Sequence, residues 1–171
     1  MTSLAIARTH GFSVLMGAAL LFVSAQIQIP LQPVPITLQT VGVMILGLLF
    51  DKRSAIQAVL LYLGLGVLGL PVFAGFSNIA LVGARAGYLV GFLGAVWAMT
   101  TLREYQGDLQ NIFGLLGLNL LGSAIIYACG IAWLAVSFGL NQAILIGFVP
   151  FIIPGLVKIL LLSGIVRFLR S

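Results

Sequence analysis

Apolar residues form long runs along the chain, and single charges or proline-rich breaks separate these runs. A helix needs about 20 apolar residues to cross a hydrocarbon core of roughly 30 Å. On this basis the sequence predicts six transmembrane helices, at approximately 11–29, 37–50, 54–70, 79–102, 112–138 and within 143–168. We therefore expect an all-α integral membrane protein in which residues 1–171 form a single six-helix domain.

Prolines interrupt the apolar pattern at three places, after the first run, at Pro71 after the third run, and within the last run. Pro30, Pro33 and Pro35 follow the first run, and proline removes a backbone donor and disrupts a regular helix. The second run is short, so we expect part of this proline-rich outer loop to enter the membrane as a re-entrant stretch. Such a stretch would line a cavity enclosed by protein. Pro150 and Pro154 interrupt the last run.

The composition excludes a water-soluble globule, because 61% of the residues are hydrophobic and only 6% are charged, against about a quarter charged in soluble domains. The single cysteine cannot form an internal disulfide, and the single histidine has no partners for a metal site. The carboxylates Asp51, Glu104 and Asp108 form no pair near a predicted pocket, which disfavours an enzyme. We predict no bound cofactor. The sequence also lacks a phosphate-binding loop, so any use of ATP requires a partner.

Basic residues indicate which loops face the cytoplasm. With six helices, both termini and the loops after the second and fourth helices share one side. Most of the eight Lys and Arg fall on that side: Arg8, Lys52, Arg53, Arg103, Arg167 and Arg170. The positive-inside rule makes it the cytoplasmic side of the cell membrane. A cleaved signal peptide is the alternative for the first run, but its removal would leave an odd number of helices and spoil this pattern.

Arg85 and Lys158 are different, since both fall within predicted helices. A charge at the bilayer centre costs at least about 2.5–3.5 kcal/mol and usually marks a functional site. Helix rise places Arg85 near the outer boundary and Lys158 near the midplane. Because no acid is available to pair with them, we predict a bound anion that enters from outside. The alternatives are that Arg85 extends to the lipid headgroups and that Lys158 is neutral or bonds to carbonyls freed by Pro154.

Two helix faces carry small or polar residues at four-residue spacing. The fourth predicted helix has small residues at this spacing: Gly83, Gly87, Gly91 and Ala95. We expect this face to pack closely against another helix. The fifth has a polar series: Asn119, Ser123 and Tyr127. These side chains face the protein interior, where they either line a pocket or form hydrogen bonds between helices.

Several segments carry a resemblance to a known family: IPLQPVPITLQT at 29–40, LGLPVFAGFSN at 68–78, GARAGYLVGF at 83–92 and VPFIIPGLVK at 149–158. They resemble the BioY family, biotin-binding membrane proteins that are the substrate-capture (S) components of energy-coupling factor (ECF) transporters. The resemblance implies six helices, capture of biotin from the outer side, and association with a transmembrane coupling subunit and cytoplasmic ATPases. The alternatives are a stand-alone carrier or channel for a small organic anion and an assembly subunit without a small ligand.

On this resemblance we expect six residues to contact biotin. Lys158 and Arg85 supply positive charge, Tyr88 supplies a flat apolar wall, and the remaining three offer hydrogen bonds: Thr37, Gln39 and Asn78.

The chain departs from the family pattern at two positions. Gly155 stands where the family commonly has an aspartate three residues before the lysine, so the role of that aspartate is either absent or supplied by another group, Asn78 or the Tyr127 hydroxyl. On the first helix, Ala18 matches the small-residue AxxxA pattern used for docking to the coupling subunit, but Phe22 does not.

Overall fold

The computed structural model describes residues 10–78, 83–106 and 111–170. These residues are mostly helical, with α1 (His10–Gln26), α2 (Gln39–Leu49), α3 (Lys52–Val67), α4 (Ala86–Gln106), α5 (Ile112–Phe138), α6 (Leu140–Gly147) and α7 (Ile152–Arg170). A 3-10 turn, Val149–Phe151, joins α6 to α7, so these two helices form one interrupted segment. The described residues therefore contain six helical segments, and the last is broken at Pro150 as the sequence predicts, whereas Pro154 lies within α7.

The six segments differ in length. Within the described ranges, two stretches are long and apolar enough to cross a membrane, Ile112–Phe138 and Leu140–Leu169, with mean hydropathies of 1.9 and 2.4. The helices α1 and α2 are apolar but shorter. The 11 residues of α2 rise about 16 Å, which is roughly half of a hydrocarbon core. The prediction of full-length membrane helices is therefore supported most directly for α5 and the interrupted α6–α7 segment.

The proline-rich segment after α1 forms a short antiparallel ribbon of β1 (Gln28–Ile29) and β2 (Ile36–Thr37). The prolines lie between the two strands, where they remove no ladder hydrogen bond. The ribbon continues into α2 through a bond from the backbone N–H of Leu38 to the carbonyl of Ile27, 3.0 Å. The predicted first helix, which extends to residue 29, is three residues too long because the chain has entered β1.

The fourth helix begins later than predicted. Residues 79–82, where the sequence predicts its start, lie outside the described residues, and α4 begins at Ala86. Arg85 therefore precedes the helix, and the prediction that it lies within a helix is wrong. The physical reason is a turn closed by a bond from the N–H of Ala86 to the carbonyl of Gly83, 3.1 Å. Arg85 then supplies the carbonyl that begins α4, accepting from the N–H of Leu89 at 3.2 Å.

The predicted small-residue face of α4 packs against α5. A methyl group added at Gly91 would lie 2.9 Å from Cα of Ile126, and one at Gly87 would lie 2.5 Å from the carbonyl oxygen of Cys129. Ala95 is fully buried. Close packing is therefore confirmed for these three positions, whereas Gly83 lies before α4. The contact fixes α4 and α5 relative to each other and so positions the side chains of the cavity described next.

Candidate functional site

A narrow cavity of about 50 Å³ lies where the ribbon, α2, the loop after α3, α4, α5 and the α6–α7 segment meet. We call it the main cavity because of its polar lining, although an apolar pocket of about 430 Å³ between α5 and the α6–α7 segment is larger. Its polar lining consists of Thr37, Gln39, Thr40, Arg85, Tyr88, Tyr127 and Lys158. Its apolar lining consists of Val34, Pro35, Phe73, Ala74, Leu89, Phe92, Ile126 and Phe151. Among the described residues, this wall contains two cations and no carboxylate.

Lys158 reaches the main cavity from α7 and bonds to the start of α2. Its Nζ donates to the carbonyl of Thr37 at 2.5 Å and to Oγ1 of Thr40 at 3.4 Å. A backbone carbonyl is thus its partner, which was one of the predicted alternatives, but the carbonyl belongs to β2 and not to the region of Pro154. Because both acceptors are neutral, they solvate the ammonium group without cancelling its charge.

Arg85 reaches the same cavity from the turn before α4. Its Nη1 donates to the carbonyl of Ala74 at 3.0 Å. Ala74 lies in a tight loop that is closed by two bonds between Phe73 and Ser77, 2.9 and 3.3 Å long. The loop turns through Gly75, whose φ of +71° suits glycine. The guanidinium is therefore a link between the loop and α4 as well as a positive charge at the cavity.

Asn78 lies outside the main cavity, so the structure does not bring it together with the other five expected site residues. Its side-chain amide donates to the carbonyl of Gly69 at 3.1 Å, and the residue is exposed. This bond closes the far side of the loop, where Gly69 has a φ of +87°. Asn78 is therefore held away from the cavity by its role in loop geometry.

Aromatic rings form one wall of the main cavity. Tyr88 packs with Phe151 at a centroid distance of 6.3 Å and with Tyr127 at 6.5 Å. Its hydroxyl donates to the carbonyl of Gly147 at 2.7 Å, which ties α4 to the end of α6. Tyr127 also packs edge-on against Phe148 at 5.5 Å. The wall is therefore a rigid apolar surface with hydroxyl groups at its edges.

Tyr127 is a cavity residue that the expected site did not include, although its spacing from Asn119 and Ser123 marked it as inward-facing. That polar series divides in the structure. Asn119 donates to Oγ of Ser163 at 2.9 Å across the helix interface, while Tyr127 lines the main cavity. Both interpretations of the series therefore hold, each for a different residue.

The Tyr127 hydroxyl also lies beside Gly155, the position at which the resemblance implies an aspartate. A methyl group added at Gly155 would lie 3.1 Å from Oη of Tyr127. Of the two substitutes that the sequence suggested, Tyr127 is therefore beside this position, whereas Asn78 is on the exposed loop.

Gln39 lies in the wall between the ribbon and α3. Its Nε2 donates to Oη of Tyr62 at 2.6 Å, and that hydroxyl donates to the carbonyl of Val72 at 3.1 Å. Its backbone N–H donates to Oγ1 of Thr37 at 3.3 Å. These bonds connect the predicted pair Thr37 and Gln39 to the loop that also bonds to Arg85.

The family model of the BioY family matches residues 2–171. The chain belongs to the BioY family. It is 38% identical over 160 residues to a protein of Rickettsia prowazekii named probable biotin transporter BioY, covering 92% of this chain and 81% of that protein. It is 37% identical over 156 residues to the biotin transporter BioY of Thermotoga maritima, covering 90% of each chain.

A solved structure has the same fold. The chain matches the crystal structure of the S-component for biotin from an ECF-type ABC transporter with a TM-score of 0.78 and 29% sequence identity. The match covers 99% of this chain and 94% of the other. The family assignment made from the sequence segments is thus confirmed. The BioY relatives are transporters, which together with the apolar helices indicates a membrane protein.

Proposed function

We propose that this BioY-family protein captures biotin from the outer side of the cell membrane and is the substrate-specific component of an ECF-type importer. The main cavity carries this proposal, because its described wall combines Arg85 and Lys158 with aromatic surfaces and contains no carboxylate. The names of the relatives and of the matching S-component supply the identity of the ligand.

The chemistry of biotin fits this wall. Biotin has a carboxylate, an apolar chain, and a fused ring system that carries a polar ureido group. A site for such a molecule needs a mostly apolar cavity with a few polar groups that fix its orientation. The cations Arg85 and Lys158 are suited to the carboxylate, the rings of Tyr88 and Tyr127 to the apolar part, and Gln39 to the ureido group.

Binding requires the walls of the main cavity to separate. Its volume of about 50 Å³ is smaller than the ~300–1,000 Å³ of pockets that hold small molecules. The bond from Lys158 to the Thr37 carbonyl ties α7 to the ribbon across this space. A ligand carboxylate is a stronger acceptor for an ammonium group than a carbonyl is, so it can replace Thr37 as the partner of Lys158.

The proposal includes the topology that the charges predict. The chain is one six-helix domain with both termini in the cytoplasm and the ribbon on the outer side, partly re-entrant. Delivery of the ligand to the cytoplasm requires a coupling subunit and ATPases. Ala18 is 6% exposed and belongs to the core, and Phe22 packs against Phe76 at 6.3 Å. We therefore assign contact with the coupling subunit to other positions on α1, among them the exposed Leu15.

The test is direct binding of radiolabelled biotin to the purified full-length protein. We expect saturable binding that Lys158→Ala and Arg85→Ala each weaken about tenfold, because each removes a charge-assisted bond to the ligand that is stronger than the bond to a carbonyl that it replaces. Lys52→Ala is the matched control, since Lys52 lies over the ring of Trp97 and outside the main cavity. Absence of binding by the parent, or parent-like affinity of Lys158→Ala, would refute the proposal.

The stand-alone alternative is tested in the same preparation. Vesicles that contain only this protein should not accumulate biotin when an ion gradient is applied, because the proposed importer requires its ATPases. Gradient-driven uptake by the protein alone would instead support a self-sufficient carrier.

A further inference from the structure

Tyr62 lies directly behind the main cavity and is not part of its lining. Its side chain is fully buried. The ring packs edge-on against Phe73, a lining residue, with 5.4 Å between centroids and 87° between planes. Its hydroxyl is bonded on both sides, to Gln39 and to the carbonyl of Val72. Tyr62 therefore touches the cavity only through the residues that it holds.

The direction of these bonds is determined by counting protons. A tyrosine hydroxyl has one proton to donate, whereas a backbone carbonyl can only accept. The Val72 carbonyl takes the proton of Tyr62 at 3.1 Å and also accepts from Nε2 of Gln26 at 3.3 Å. The Tyr62 oxygen must then act as the acceptor toward Gln39, 2.6 Å away.

This arrangement fixes the orientation of the Gln39 amide. Its NH₂ group donates to Tyr62, so its carbonyl oxygen, Oε1, is the acceptor that this side chain has for a ligand in the cavity that Gln39 lines. Both cations in the wall are donors without acceptor capacity. Oε1 of Gln39 therefore adds an uncharged acceptor to a wall whose charged groups only donate.

We propose that Tyr62 is a positioning residue that orients Gln39 so that Oε1 accepts an N–H from the ureido ring of biotin. This inference rests on the proposed function. It adds the hydrogen bond by which the site would recognise the ureido ring of biotin. Without the Tyr62 hydroxyl, the Gln39 amide could rotate and turn its NH₂ group toward the ligand. Two N–H donors would then face each other and no hydrogen bond could form.

The experiment measures calorimetric affinities of the purified full-length protein for biotin and for its two isomers methylated on one ureido nitrogen. We expect the parent to bind one isomer at least about tenfold more weakly than biotin, since methylation removes one hydrogen bond and adds bulk. Tyr62→Phe keeps the ring contact with Phe73 but loses the hydroxyl. It should bind biotin about tenfold more weakly while its affinity for that isomer changes little, so that the preference for biotin collapses.

A second variant tests the same hydrogen bond by removing the acceptor itself. Gln39→Met keeps a side chain of similar length but has no carbonyl, and it should lose the same preference. The double variant should show no further loss, because both changes remove one interaction. Tyr105→Phe is the matched control, since it deletes a hydroxyl from a residue that is 89% exposed.

The outcomes separate this inference from the proposed function. If the parent binds biotin, but Tyr62→Phe lowers the affinity for biotin and for both methylated isomers by the same factor, the positioning role of Tyr62 is overturned. The proposed biotin site is then still supported. Unchanged affinity of Tyr62→Phe would overturn the positioning role as well. A parent that binds none of the three ligands would overturn the proposed function itself.

Discussion

Replacing Lys158 by methionine removes one of the two cations of the main cavity and keeps an unbranched side chain of similar length. In the ligand-free protein, this change deletes the bonds from Nζ to the Thr37 carbonyl and to Oγ1 of Thr40. In the complex, it deletes the proposed bond from Nζ to the carboxylate of biotin. Both states lose an interaction, so the measured change in affinity is the difference between the two losses.

That difference has a predictable size. A hydrogen bond to a charged group contributes about 1.5–3 kcal/mol, whereas a bond between neutral partners contributes about 0.5–1.5 kcal/mol. The Lys158–Thr37 bond in the free protein already has one charged partner, which offsets part of the gain on binding. The bond to the ligand carboxylate joins two charged groups and falls at the upper end of the charged range, whereas the bond to the Thr37 carbonyl falls at its lower end. We therefore expect a difference of about 1.5 kcal/mol, or about a tenfold increase in Kd.

Titration calorimetry with biotin measures this change on the parent, Lys158→Met and the control Lys52→Met. Thermal unfolding without ligand confirms that each variant is folded. Lys52→Met should keep the parent Kd, because Lys52 contacts Trp97 and does not line the main cavity. A folded Lys158→Met variant with the parent Kd would refute the reasoning, since the cation would then make no differential contact with the ligand.

Three further predictions concern stability. Gly91→Ala should lower the unfolding temperature, because the added methyl group would lie 2.9 Å from the facing α5 backbone; Gly117→Ala, with no atom within 4 Å, should raise it slightly through helix propensity. Partial burial opposes ionisation of Asp51, but hydrogen bonds from Ser54 outweigh it and hold the pKa of Asp51 below its ordinary 3.8. Its ionised form therefore stabilises the fold above about pH 4, and this contribution is lost as the pH falls through the lowered pKa. Asp51→Asn, which keeps the capping oxygen, should abolish that part of the pH dependence of unfolding; an unchanged acid profile would contradict the assignment. Tyr88→Phe loses a buried bond to α6 and should cost about 1–3 kcal/mol in unfolding free energy, with biotin affinity within about threefold of the parent because the ring remains; an unchanged unfolding temperature would contradict it.

The sequence could predict the features that depend on composition and local pattern. An unpaired lysine in an apolar run is conspicuous at Lys158, and the repeated small residues around Gly91 require a close helix contact. The prolines after α1 exclude a regular helix there. Each of these signals lies within a few residues of the feature that it determines, so a single sequence carries it.

Features set by distant partners could not be read in the same way. Gln39 and Tyr62 are 23 residues apart in sequence, and only the packing of α3 against the start of α2 brings their side chains together. Asn78 has the side chain expected of a ligand contact, but its amide bonds to the carbonyl of Gly69. The partner of the Asn78 amide depends on the path of the loop after α3. That loop turns at glycines with positive φ.

The central claim is that two cations without an acidic partner in the described cavity wall recognise the carboxylate of biotin. It is tested most directly by comparing the affinities of the parent protein for biotin and for biotin amide, in which the carboxylate is replaced by a neutral group. Biotin should bind at least about tenfold more tightly than biotin amide, and this preference should disappear when Arg85 and Lys158 are both replaced by methionine. Equal affinity of the parent for the two ligands would contradict it.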